Sequence, residues 1–107
     1  MKGLGDFTNI VKHAKQLQQK LEEAQAEIAQ MKAEATAGGG MVKATVNGRG
    51  ELIDLTIERE VVDPADVEML VDLIIAAVQE AQKKAQEIAQ EKLGPMTEGL
   101  RGLGLSV

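Results

Sequence analysis

The sequence predicts an α+β chain: a long helix, an antiparallel β-hairpin and a second long helix. Three observations predict it. Apolar residues recur at alternating spacings of three and four over residues 7–35, the seam of a helix lying lengthwise on a partner. From Gly38 to Ile57 the period drops to two around the dipeptide Asn47-Gly48, as in a hairpin. After Asp63-Pro64 a helical period resumes and is held for about 30 residues.

The first helix is expected to start near Asp6 or Thr8, either of which can cap it. Its seam is Phe7, Ile10, Ala14, Leu17, Leu21, Ala24, Ile28, Met31 and Ala35. Three alanines among these let a partner helix approach closely, and the flanking Lys, Gln and Glu make a solvated face. Thr36 and the run Gly38-Gly39-Gly40 are expected to stop it.

In the hairpin, Val42, Ala44 and Val46 alternate with Lys43 and Thr45, and Ile53, Leu55 and Ile57 alternate with Leu52, Asp54 and Thr56. Each strand thus gains one apolar face. Asn47-Gly48 suits a two-residue turn with positive φ at both positions. Glu58 to Val62 reads either as a short third strand or as the way out of the sheet. A lone hairpin is marginal in water, so the helices, and a second copy of the chain, are expected to cover its apolar face.

Asp63 suits a helix N-cap and Pro64 the first helical position. Val67 to Val78 is apolar on most sides, which predicts burial against both the sheet and a subunit interface. Gln79 to Lys92 is amphipathic, with Ala81, Ala85, Ile88 and Ala89 as a stripe for the first helix. Gly94-Pro95 is expected to end this helix. Residues 1–95 should form one domain and residues 96–107 a flexible tail of Gly and Leu, or in a sharper reading a clip docked on a partner subunit.

Composition excludes several classes of function. With 107 residues the chain suits a modest core and no deep enclosed active site. It has no cysteine, hence no disulfide, thiolate nucleophile or Cys-held metal. The single histidine, His13, flanks the seam without a second imidazole, and the acids are spread along helix surfaces without pairing about a pocket. Gly38-Gly39-Gly40 precedes a strand and is followed by no Gly-Lys-Ser/Thr, so it is no phosphate loop. An enzyme, a cofactor and a small-molecule substrate are therefore not expected. No run approaches the roughly 20 apolar residues of a membrane span, and Met1 to Phe7 lacks a signal peptide's apolar core, so a cytoplasmic location without membrane contact is expected.

The net charge is −5, but it is unevenly placed. Residues 1–20 hold four lysines against Asp6, whereas residues 21–107 hold eight basic and sixteen acidic side chains. Both helices should project from one side of the sheet, which places Lys12, Lys15 and Lys20 at a far tip facing Lys83, Lys84 and Lys92. These six could present positive charge to a polyanion that the acidic body repels; the plainer reading is solvated helix surface. With Phe7 as the sole aromatic residue the chain cannot build a base-stacking platform. A nucleic-acid partner should therefore be a duplex held through phosphate and shape. The alternative class is a protein-protein module, such as a prefoldin-like chaperone subunit in which a hairpin joins two coiled-coil helices and Leu4, Phe7, Ile10 and the Leu-rich tail supply apolar tips.

Lys-Gln-Leu-Gln-Gln-Lys-Leu at 15–21, the glycine break, Met-Val-Lys-Ala-Thr-Val-Asn-Gly at 41–48, the Leu-Thr-Ile strand end, Asp63-Pro64 and Leu70-Val71-Asp72-Leu73 followed by Ala76-Ala77 together resemble the YbaB/EbfC family of bacterial nucleoid-associated proteins. The strand-turn at 41–48 is the most specific part. The resemblance implies a tweezers-like homodimer with projecting helical arms. It implies binding to duplex DNA that alters the DNA's conformation, and a place in nucleoid organisation and gene regulation; the candidate DNA-binding residues are then Lys12, Lys15 and Lys20 on phosphates, with Lys83, Lys84 and Lys92 assisting.

Overall fold

The computed structural model describes the backbone of residues 2–102 and the side chains of residues 6–95. The order is α1 (Lys2–Gln30), β1 (Lys32–Ala37), β2 (Val42–Asn47), β3 (Leu52–Ile57), a 3-10 turn (Arg59–Val61) and α2 (Val67–Gly102). The strands form one antiparallel sheet in the order β1-β2-β3. The molecule measures 79 × 22 × 16 Å, with a radius of gyration of 21.1 Å. A compact chain of this length would have about 13 Å, so much of the helical surface has no partner within the protomer.

The third strand precedes the hairpin instead of following it. Met31-Lys-Ala-Glu-Ala-Thr-Ala37 fits both periods, since Ala33, Ala35 and Ala37 also alternate with Lys32, Glu34 and Thr36. The expected helix through Ala35 is corrected: α1 ends at Gln30, and the next residues pair with β2 as Ala33↔Val46, Ala35↔Ala44 and Ala37↔Val42. Pairing decides an ambiguity that alanine, a good helix former with no strong strand preference, leaves open. Gly38-Gly39-Gly40, at φ of 64°, 68° and 94°, is thus a hairpin turn and not a helix stop. Glu58 to Val62 is correspondingly no strand. Its 3-10 turn drops Val61 into the core at 2% exposure.

The β2–β3 turn also differs from expectation. Neither Asn47 nor Gly48 has positive φ; Gly50 does, at 82°. Gly48 to Glu51 connect the strands, with Gly50 N–H donating to the Asn47 carbonyl at 3.0 Å and Asn47 N–H to the Glu51 carbonyl at 2.9 Å. Asn47 earns its place through its side chain, whose Oδ1 accepts from the N–H groups of Arg49 at 3.0 Å and Glu51 at 3.1 Å. A bulge between Thr45 and Val46 sets Leu52 opposite Val46 and Asp54 opposite Thr45, leaving Ile53 as the extra residue. The simple alternation expected of Ile53, Leu55 and Ile57 is broken there.

Two further boundaries move. Asp63 caps a preceding turn, accepting from Ala65 N–H at 2.9 Å, while Asp66 caps α2 by accepting from Met69 N–H at 3.2 Å. Both carboxylates lie at the positive end of the helix dipole, and local geometry selects the later one. Nor does Gly94-Pro95 end α2, which continues through Pro95 to Gly102. A proline removes one backbone bond, and a helix held by upstream packing survives that loss. Residues 103–107 of the expected tail lie outside the described residues.

One face of the sheet takes α2. Ala33, Ala35, Val42, Ala44 and Val46 meet Ala77, Ala81 and Ala85, all at most 5% exposed, with Leu70, Leu73, Ile74 and Val78 half-buried around them. Alanine on both sides brings the helix axis close to the strands, so the core is thin and intolerant of added volume. Lys84 spans its margin, its Nζ donating to the Glu34 carbonyl on edge strand β1 at 3.2 Å.

Candidate nucleic-acid interface

α1 enters the sheet through its C-terminal end, where Ala24 and Ile28 are buried at 6% and 9% exposure. There it runs antiparallel to α2, and Lys92 Nζ meets Glu27 Oε2 at 3.4 Å. Further out the seam opens: Leu17 is half-buried, and Phe7 and Ile10 are about two-thirds exposed. The expected coiled-coil partner therefore covers only the inner half of the seam.

At about 100° per residue, Lys12, Lys15 and Lys20 fall within an arc of roughly 140° on the side of α1 opposite Ile10, Leu17, Leu21 and Ile28. All three are exposed. Along the same outer face, nearer the sheet, come Glu23 and Glu27. The stripe is thus positive over its outer half and negative at its root, and Lys92 neutralises Glu27 where the sign changes. Among the described residues this is the one ion pair.

The other three candidates do not join that stripe. Lys84 is committed to the Glu34 carbonyl, and Lys83 beside it is exposed over the sheet. Both lie well inward of the tip where they were expected, because α2 spends its first half, from Leu70 to Ala85, packed on the strands before it meets α1. Only Lys92 comes against α1, and there it faces a carboxylate. The six lysines therefore divide into a continuous row of three on α1 and three separate positions on α2.

A cleft of about 350 Å³ opens between the β2–β3 turn and α2, lined by Gly48, Arg49, Gly50, Gln82, Ala85, Gln86 and Ala89. Gln82 Nε2 donates to the Gly50 carbonyl at 3.0 Å and ties the turn to the helix. Arg49, in the turn, is an exposed cation that was not among the six lysines expected at the interface. Among the described residues no group of three His, Cys, Asp or Glu side chains could hold a metal ion. No helix among them is long and apolar enough to cross a membrane.

The chain is similar to proteins named nucleoid-associated proteins. One from Rhodococcus erythropolis is 51% identical over 100 residues, covering 94% of this chain and 89% of the relative. One from Streptomyces avermitilis is 48% identical over 103 residues, covering 96% and 91%. The crystal structure of an uncharacterised protein from Helicobacter pylori matches with a TM-score of 0.72 at 22% identity, over 85% of this chain and 96% of that one, which speaks to the fold alone. A model of the YbaB/EbfC DNA-binding family matches residues 2–100. On the fold, the strand-turn at 41–48 and this match, the chain belongs to the YbaB/EbfC DNA-binding family.

Proposed function

We propose that the protein acts as a homodimer that binds duplex DNA through phosphate and shape contacts, alters the DNA's conformation and works in the nucleoid. The observation that carries this reading is the row Lys12, Lys15 and Lys20. It lies on the outer face of a projecting helix, free of ion pairs among the described residues, with Glu23 and Glu27 following on the same face nearer the sheet. Such a row suits contact with phosphates while the acidic body repels the polyanion, which supports the arm as the point of contact. Lys83, Lys84 and Lys92 assist from α2, Lys92 chiefly by holding the arm.

A second copy is called for by apolar surface the protomer leaves open. Val67, Val71 and Ile75 line one side of α2 at 46–55% exposure, and Leu52 and Ile53 stand at 47% on the free edge strand β3. Open apolar residues of this kind on a small chain support an association surface. The names of the Rhodococcus and Streptomyces relatives agree with a nucleoid role. The test is titration of a labelled duplex at several salt concentrations. Affinity falling with salt at the slope of a few phosphates supports the proposal, and absence of binding at low salt defeats it.

A further inference from the structure

The β2–β3 turn hangs on Asn47. Its N–H donates to the Glu51 carbonyl at 2.9 Å, and its carbonyl accepts from Gly50 N–H at 3.0 Å. Its Oδ1 accepts from the N–H groups of Arg49 and Glu51, while its Nδ2 donates to Glu51 Oε1 at 3.1 Å. Two accepted bonds and one donated bond at separate atoms call for an amide, and the short reach selects asparagine over glutamine. The next residue is fixed as firmly, since Gly48 has no room for a Cβ beside the Ile28 carbonyl. The fold thus requires asparagine followed by glycine. With no Cβ on the second residue, that pair leaves its main-chain nitrogen the least hindered path to a neighbouring carboxamide.

We propose that Asn47 is a site of spontaneous covalent modification in the folded protein, with water as co-reactant. The Gly48 main-chain nitrogen attacks Asn47 Cγ and the Cγ–Nδ2 bond breaks. Nδ2 leaves as ammonia, taking the proton that Gly48 nitrogen loses, and a five-membered imide closes. Water then opens the ring at either carbonyl. Addition at Cγ leaves aspartate at position 47; addition at the main-chain carbonyl leaves isoaspartate, whose main chain is longer by one carbon.

Both ends of the carboxamide are held in the closed turn, and Asn47 is the last residue of extended strand β2. Ring closure therefore waits for the turn to open, a local event that needs far less free energy than unfolding the chain. Gln82 governs that opening from outside the turn, because its Nε2 holds the Gly50 carbonyl at 3.0 Å. Asn47 and Gly48 are half-buried, so water reaches them once the turn opens. Conversion loosens the seat of α1. Either product replaces the Nδ2 donor by a carboxylate facing Glu51, and isoaspartate also lengthens the chain between β2 and the glycine packed on Ile28.

The test follows the tryptic peptide Ala44–Arg49 by mass and retention during incubation at mildly alkaline pH. Three samples are compared: the native wild type, native Gln82→Ala, and the wild type unfolded in guanidinium. The unfolded chain should convert fastest. Gln82→Ala should convert about two- to tenfold faster than the native wild type, as expected for the loss of one hydrogen bond. Asn9, the chain's other asparagine, precedes the branched Ile10 and should stay unconverted throughout. An unconverted native wild type beside a converted unfolded sample overturns the proposal. So do equal rates in the wild type and Gln82→Ala, which remove turn opening as the controlling step. A second measurement needs no variant: anion exchange separates converted from unconverted wild type by the added negative charge. The converted fraction should unfold at lower denaturant, and equal midpoints would refute the loosened turn. None of these readouts involves DNA.

Discussion

Gly48 lies against the carbonyl of Ile28 so closely that a Cβ on Gly48 would overlap that carbonyl and the Ile28 γ-methyl. This contact joins the β2–β3 turn to the last turn of α1 and fixes where the arm leaves the sheet. Since Gly48 does not have positive φ, its glycine is required by space and not by backbone conformation.

Gly48→Ala should therefore destabilise the fold by about 1–3 kcal/mol, as overpacking does, and re-aim α1. Gly39→Ala is the control. It meets nothing within 4 Å but holds φ of 68°, so about 1–2 kcal/mol of backbone strain is expected with no change in arm direction. Denaturant unfolding measures both, and DNA affinity should fall further for Gly48→Ala than its stability loss explains.

Replacing Lys12, Lys15 and Lys20 together by Glu should abolish duplex binding at moderate salt while leaving the sedimentation behaviour unchanged. Single Lys→Gln variants should each flatten the plot of log affinity against log salt by about one phosphate contact per substituted side chain engaged. A triple variant that still binds with the original slope would move the interface off α1.

Lys92→Ala is expected to weaken binding far less. Its pair with Glu27 has side chains 37% and 67% exposed, so solvent screening holds its contribution to about 0.2–1 kcal/mol. Thermal melts of the wild type and this variant should differ in low salt and converge in high salt. A loss of binding equal to that of the α1 triple variant would make Lys92 a direct phosphate ligand.

Ala81→Leu should cost about 1–3 kcal/mol, since Ala81 is wholly buried between α2 and a sheet face itself lined by Ala33, Ala35 and Ala44. The same exchange at exposed Ala76 should be within about 0.5 kcal/mol of neutral. Comparison of denaturant midpoints at one protein concentration separates the two.

Ile75→Asp with Val71→Asp should yield a monomer in sedimentation equilibrium, with helix content retained, because both side chains lie outside the protomer's own core. Since the core elements α2, β1 and β2 pack within one chain, the monomer should remain folded at lower stability. An unaltered dimer would place the association surface on the free β3 edge alone.

The sequence by itself determined the two helices, the β2 and β3 strands, the inward face of Val42, Ala44 and Val46, and the placement of Lys12, Lys15 and Lys20 on α1. Those features rest on periodicity and local chemistry, which a chain carries along its length. Only the tertiary structure decided the rest. Residues 31–37 satisfy a helical and a strand period equally, and pairing with β2 selected the strand. Asn47-Gly48 signalled a turn, but its type was settled by the approach of Ile28 to Gly48 and by the bulge beside Thr45. Gly94-Pro95 signalled a stop that α2 overrides. Lys83 and Lys84 were placed at the tip because helix length is legible in sequence and the fraction of a helix spent crossing a sheet is not. That fraction is set by which alanines find an apolar strand face, a relation between residues some 40 positions apart in the chain.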